Sequence, residues 1–93
     1  MSVVIVGGND RMVRQYKDLF EKYRCRAKIY TQMSGSMGDK IGNPDRVVLF
    51  TNTVSHKMIR YAMSSLKGNK TIIAHSHSSS ISALQKILEA HTL

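Results

Sequence analysis

Four short apolar runs alternate with three longer amphipathic segments: Val3–Val6, Ala27–Tyr30, Val47–Phe50 and Thr71–Ala74 mark the runs. This alternation constrains the fold more than any other feature of the chain. Runs of about four residues suit strands, while a 3.6-residue apolar period marks helices. Val3-Val4-Ile5-Val6 and Val47-Val48-Leu49-Phe50 are apolar at every position, as strands buried on both faces must be. Ala27-Lys28-Ile29-Tyr30 is half polar and suits a sheet edge. Met12, Val13, Tyr16, Leu19, Phe20 and Tyr23 share one helical face, with Arg14, Lys17, Asp18, Glu21 and Lys22 opposite. A second helix carries Val54, Met58, Ile59, Ala62, Met63 and Leu66 on one face and ends at Lys67-Gly68-Asn69. A third carries Ile81, Leu84, Ile87 and Leu88. Strand–helix–strand alternation predicts a parallel sheet, and right-handed crossovers put helices on both of its faces. The expectation is therefore α/β: a single small Rossmann-like domain over residues 1–93. It has about four parallel strands in the order 2-1-3-4 and three helices.

Ninety-three residues make one domain with a modest core, burying roughly 60–65% of the unfolded surface. A partner chain covers what such a domain leaves open, and a four-stranded sheet has two free edges, so a homodimer or higher homo-oligomer is expected. The apolar fraction of 42% excludes a disordered chain. Met1-Ser2-Val3-Val4 offers no basic n-region and no long apolar stretch, which argues against a signal peptide or membrane span. The single Cys25 cannot form an internal disulfide, which fits a reducing, cytoplasmic setting. Its plain reading is an inert residue between helix and strand.

The formal net charge is +8, and from Arg46 onward six Lys/Arg face one acid, Glu89. That excess favours polyanionic or phosphorylated partners, nucleic acid among them, unless it serves solubility alone. Two Phe and no Trp supply little aromatic surface for stacking single-stranded bases. Thr31 to Asp45 is a long connection without a clear period, of the kind that is usually functional or packed on a partner. Its Met33 and Met37, like Met58, are either ordinary packing or a flexible contact surface.

An open α/β sheet binds ligands beyond the carboxyl ends of its strands, at the point where strand order reverses. Three loops are expected there: Gly7 to Arg11, Thr51 to His56, and His75 to Ser80. Each leads into a helix N-terminus, where unpaired N–H groups and the helix dipole suit phosphate or carboxylate. Gly7 and Gly8 would let a ligand approach the backbone, and Asn9 is placed to cap the first helix. Arg11, in a first helical turn, would oppose the dipole unless an anion is there to hold. The turn lacks the full G-x-G-x-x-G and G-x-x-x-x-G-K-[ST] spacings, so neither a dinucleotide fingerprint nor a P-loop is present, and a plain tight turn explains it as well.

His75 and His77, with His56 from the neighbouring loop, are candidate ligands for zinc or an axial contact to haem. No Cys, Asp or Glu near them completes a ligand set, and helix capping is the plainer role for that segment. Ser55-His56 and Ser76 to Ser80 invite a hydrolase reading, but Asp10 is the one acid expected on that side and no G-x-S-x-G elbow exists. The serines suit helix capping and hydrogen bonds to an oxygen-rich ligand.

Val4-Ile5-Val6-Gly7-Gly8-Asn9-Asp10-Arg11, Phe50-Thr51-Asn52-Thr53-Val54-Ser55-His56-Lys57 and His75 through Leu84 resemble the bacterial domain-of-unknown-function family 2325. The resemblance runs in order and spacing over nearly the whole chain. It implies the Rossmann-like fold and no established activity. Its recurring motif residues fall on Gly7, Gly8, Arg11, Thr51, Ser55, His56, Lys57, Ser78, Ser79 and Ser80. Together these readings lead to one expectation: a non-catalytic module, without a cofactor, for a phosphorylated small molecule or nucleotide. Gly7, Gly8, Asn9, Arg11, Thr51, Ser55, His56, Lys57, His75, Ser78, Ser79 and Ser80 would line the site, with Arg60 adding charge. The alternatives are a zinc or haem protein using His56, His75 and His77, a basic nucleic-acid binder, and an enzyme on a phosphorylated compound with His56 as acid/base.

Overall fold

A computed structural model describes residues 1–32, 41–66 and 70–92, with 91 and 92 by backbone only. Four parallel strands, β1 (Ser2–Val6), β2 (Arg26–Tyr30), β3 (Arg46–Phe50) and β4 (Ile72–Ser76), form one sheet in the order β2-β1-β3-β4. The described helices are α1 (Val13–Lys22), α2 (His56–Ser65) and α3 (Ile81–Thr92), with a 3-10 turn at Asp10–Met12 before α1. The expected α/β architecture, strand order and helix number are those of the structure.

The uninterrupted apolar runs become the two central strands because both of their faces are covered. Val3, Ile5, Val48 and Phe50 pack under α1 and α3 with Tyr16, Leu19, Phe20, Leu84 and Leu88. Val4, Val6, Val47 and Leu49 pack under α2 with Met58 and Ala62. Fully burying one such side chain stabilises by roughly 1.5–3 kcal/mol. Register is set accordingly: Val4 lies beside Val47 and Ile5 beside Val48, so apolar pairs meet on both faces.

Some sequence expectations shift by a few residues. β4 runs on to Ser76, so His75 belongs to the strand and not to the loop after it. Helix α2 ends at Ser65, because Leu66 takes extended backbone, before the expected stop at 67–69. Lys67, Gly68 and Asn69 lie outside the described residues, as do Met33 and Met37. Met63, expected on the apolar face of α2, is 41% exposed, and Val54 precedes the helix. The unpatterned 31–45 connection contributes Ile41, fully buried against the α2 side of the sheet.

Helix α1 closes with paired bonds from Cys25 N–H to the Phe20 carbonyl and from Arg24 N–H to the Glu21 carbonyl. This closure puts Arg24 at φ 56, a left-handed position usually held by glycine. A side chain there costs about 1–2 kcal/mol, part of which glycine returns through its freer unfolded chain. Arg24→Gly should therefore stabilise the protein by about 0.5–1 kcal/mol and raise Tm by a few degrees in a thermal melt. A lowered Tm would show that the Arg24 side chain holds the corner through contacts worth more than the strain.

Candidate functional site at the strand carboxyl ends

The loops after β1, β3 and β4 meet at the carboxyl edge of the sheet and are bonded to one another. Gly7 and Gly8 take φ values of 107 and 92, which swing the chain out of β1 toward the β3 loop. Gly8 N–H donates to Thr53 Oγ1 at 2.8 Å, and Thr53 Oγ1–H donates to the Phe50 carbonyl at 3.1 Å. A Cβ on Gly7 would lie 2.6 Å from Val54 Cγ1 and 2.9 Å from Thr53 Oγ1, and one on Gly8 would lie 3.0 Å from the Tyr16 ring. Gly7 N–H donates to the Tyr30 carbonyl at 2.8 Å, which ties the turn to β2 as well. The glycines thus make room for protein and direct their N–H groups to it. Close approach of a ligand is not needed to explain them.

Tyr16 completes the frame. It is fully buried on α1, packs its ring 5.7 Å from that of Phe50, and donates its hydroxyl to the Ser79 carbonyl at 2.6 Å. A single side chain thereby joins the β1–α1 unit to the loop after β4. Sequence periodicity places Tyr16 in the core but carries no signal for the partner of its hydroxyl. The same holds for Thr53, whose role depends on two bends meeting.

The serines cap and brace. Ser55 is the N-cap of α2, its Oγ accepting from Met58 N–H at 3.2 Å. Ser80 Oγ accepts from Ala83 N–H at 3.2 Å at the start of α3. Ser78 Oγ accepts from Ser80 N–H and donates to Ser80 Oγ, and Ser76 donates to the Ser78 carbonyl at 2.6 Å. Thr51 N–H donates to the Ser76 carbonyl at 2.9 Å, extending the β3–β4 ladder. Asn9 accepts from Arg11 N–H at 2.9 Å and caps the 3-10 turn. Arg11 therefore precedes α1, and the expected conflict with the dipole of that helix does not arise, since a three-residue turn builds no macrodipole of note.

Among the described residues, cations outnumber acids in the loops at this edge. Arg11, His56 and Lys57 are exposed, and Arg60 stands one turn along α2. No described residue accepts from the His56 and Lys57 N–H groups, the first two of α2. Asp10 is turned away from them: its carboxylate accepts from the Thr31 hydroxyl and from Gln32 Nε2. Among the described residues no carboxylate is hydrogen-bonded to Ser55 or His56, the third group that a Ser–His nucleophile pair needs. Burial raises the Tyr30 phenol at the end of β2 above its ordinary value, so it stays a neutral donor.

The histidines do not converge. His56 opens α2, His75 sits within β4 on the face it shares with Ile73, and His77 lies in the bend after that strand. Among the described residues no group of three His, Cys, Asp or Glu gathers that could hold a metal. A groove of about 350 Å3, lined by Gln15, Asp18, Leu19, Lys22 and Ile81, lies between α1 and α3.

The family model described as an uncharacterized protein conserved in bacteria (DUF2325) matches residues 2–91. The chain belongs to this family. No curated protein and no solved structure matches it. The match spans all three loops and every strand and described helix up to His91, so membership covers the frame as a whole and not one motif. No described helix is long and apolar enough to cross a membrane.

Two substitutions test the frame. Gly7→Ala should cost about 2–4 kcal/mol, from positive-φ strain plus overpacking against Val54, and Val54→Ala should recover part of it in a double-mutant cycle. Tyr16→Phe should cost about 1–2 kcal/mol and speed amide exchange in the 78–83 segment. Unchanged exchange there would mean that the serine bonds alone hold the turn.

Proposed function

We propose that this family member is a non-catalytic binding module for a phosphate-bearing small molecule, such as a nucleotide or nucleotide signal, at the carboxyl ends of β1 and β3. The reading rests on one observation: at the α2 entrance, exposed cations and open N–H groups stand together while the nearby acid is bonded elsewhere. Lys57 and Arg11 supply charge, with Arg60 behind them. The His56 and Lys57 N–H groups supply oriented donors reinforced by the dipole of α2. Ser55 keeps a hydroxyl proton to donate even while it caps the helix. Gly7, Gly8, Asn9, Thr51 and Ser78 to Ser80 contribute by holding the loops in contact, and His75 and His56 add imidazole donors. We place the module in the cytoplasm, where a lone half-buried Cys25 stays reduced.

Native mass spectrometry of the protein as purified, followed by calorimetric titration with ATP and with inorganic phosphate, tests the proposal. A retained or titrated phosphate compound is expected, and Arg11→Ala and Lys57→Ala should each weaken it by about tenfold, as loss of a charged hydrogen bond does. Full affinity in the double variant would overturn the site. Binding to nucleic acid instead, falling steeply with salt, would move the function to the general basic surface.

A further inference from the structure

The sheet ends in two unlike edges. On β2, exposed Arg26 and Lys28 alternate with half-buried Ala27 and Ile29. Cations along an edge strand discourage pairing with another chain. β4 has no such guard. Ile72-Ile73-Ala74-His75-Ser76 contains no Lys, Arg, Asp, Glu, Pro or Gly, and the stretch free of Lys, Arg, Asp and Glu runs from Thr71 to Gln85. At its start Ile72 is 45% exposed.

The hydrogen bonds settle which backbone groups of β4 face outward. Ile72 N–H donates to the Asp45 carbonyl, and the Ser76 carbonyl accepts from Thr51 N–H. Residues 72, 74 and 76 therefore turn their peptide groups toward β3. Alternation leaves the N–H and C=O of Ile73 and His75 pointing off the sheet, where no described residue pairs with them.

We infer that the β4 edge is the interface of a homodimer, with β4 pairing antiparallel to its own copy about a twofold axis at Ala74. This register uses every outward group of both strands. Ile73 exchanges both backbone bonds with His75 of the partner subunit, and His75 does so with Ile73 of the partner subunit. Ala74 meets Ala74 of the partner subunit at the narrow, non-bonded position, where Cα atoms come within about 4.5 Å and a small side chain fits. Ile72 comes opposite Ser76 of the partner subunit, which covers its exposed surface.

Charge argues for a second copy as the occupant. Two chains of net charge +8 repel, and an uncharged strip is where they approach at least cost. Interface centres are depleted of charge for the same reason. A twofold contact closes on itself, so the product is a dimer with an eight-stranded sheet, its guarded β2 edges outermost.

Sedimentation equilibrium on the whole chain at micromolar concentration tests this, independently of any ligand. The expected mass is that of two chains. Ile73→Pro deletes an outward donor and leaves the β3 ladder intact, and should raise the dimer dissociation constant about tenfold or more with an unchanged circular dichroism spectrum. Ile72→Lys, at an exposed side chain outside the core, should weaken the dimer similarly, while Arg26→Ala on the opposite edge should leave it intact. A monomer at every concentration would overturn the inference, as would a dimer indifferent to both Ile73→Pro and Ile72→Lys. Phosphate binding is measured apart from mass, so either proposal can fail without the other.

Discussion

Two consecutive positive φ angles, at Gly7 and Gly8, set the terms for everything at the carboxyl end of this sheet. They let the chain leaving β1 lean directly on the loop leaving β3, close enough that a methyl group at position 7 would overlap Val54. The Gly8–Thr53 bond then fixes that contact. Strand order makes the two loops neighbours, and this bond fixes their contact beside the entrance to α2. The frame extends through Tyr16, whose buried ring lies against Phe50 and whose hydroxyl holds the Ser79 carbonyl. Three connections far apart in sequence are thus joined by two side-chain hydroxyls.

That frame divides the labour among the motif residues. Those with small polar side chains are consumed by structure: Ser55 and Ser80 cap helices, Asn9 caps a turn, and Ser78 braces Ser80. Those with charge are left facing water. The division follows from solvation. A hydroxyl among backbone groups must find a partner or lose a hydrogen bond, whereas a guanidinium or ammonium keeps its hydration unless an anion replaces it. The cationic character of the edge is therefore what remains available for recognition once folding has taken its share of the polar groups.

The two ends of the sheet are divided in a similar way. Arg26 and Lys28 protect β2, while α3 and its serine-rich entrance come after β4 without a charge until Lys86. A small domain with a modest core would gain from covering one edge, and in the proposed dimer the distribution of charge selects β4.

Much of this was legible in the residues alone. The uniformly apolar runs at 3–6 and 47–50 determined two doubly buried strands, the half-polar 27–30 run an edge, and the 3.6 period of Tyr16, Leu19 and Phe20 a helix packed on them. These are local patterns, and burial reads them directly. The three loops were legible as a group because parallel strand order alone brings them together. Tertiary structure decided the rest. It showed that Ile41 belongs to the core, that the glycines face protein, that Asp10 bonds to Thr31 and Gln32, and that His56, His75 and His77 do not form a group able to hold a metal. Each of these depends on which atoms from distant segments arrive within a few ångströms of one another. Periodicity reports the face on which a side chain lies, but a hydrogen bond needs the distance, and only the packed chain supplies it.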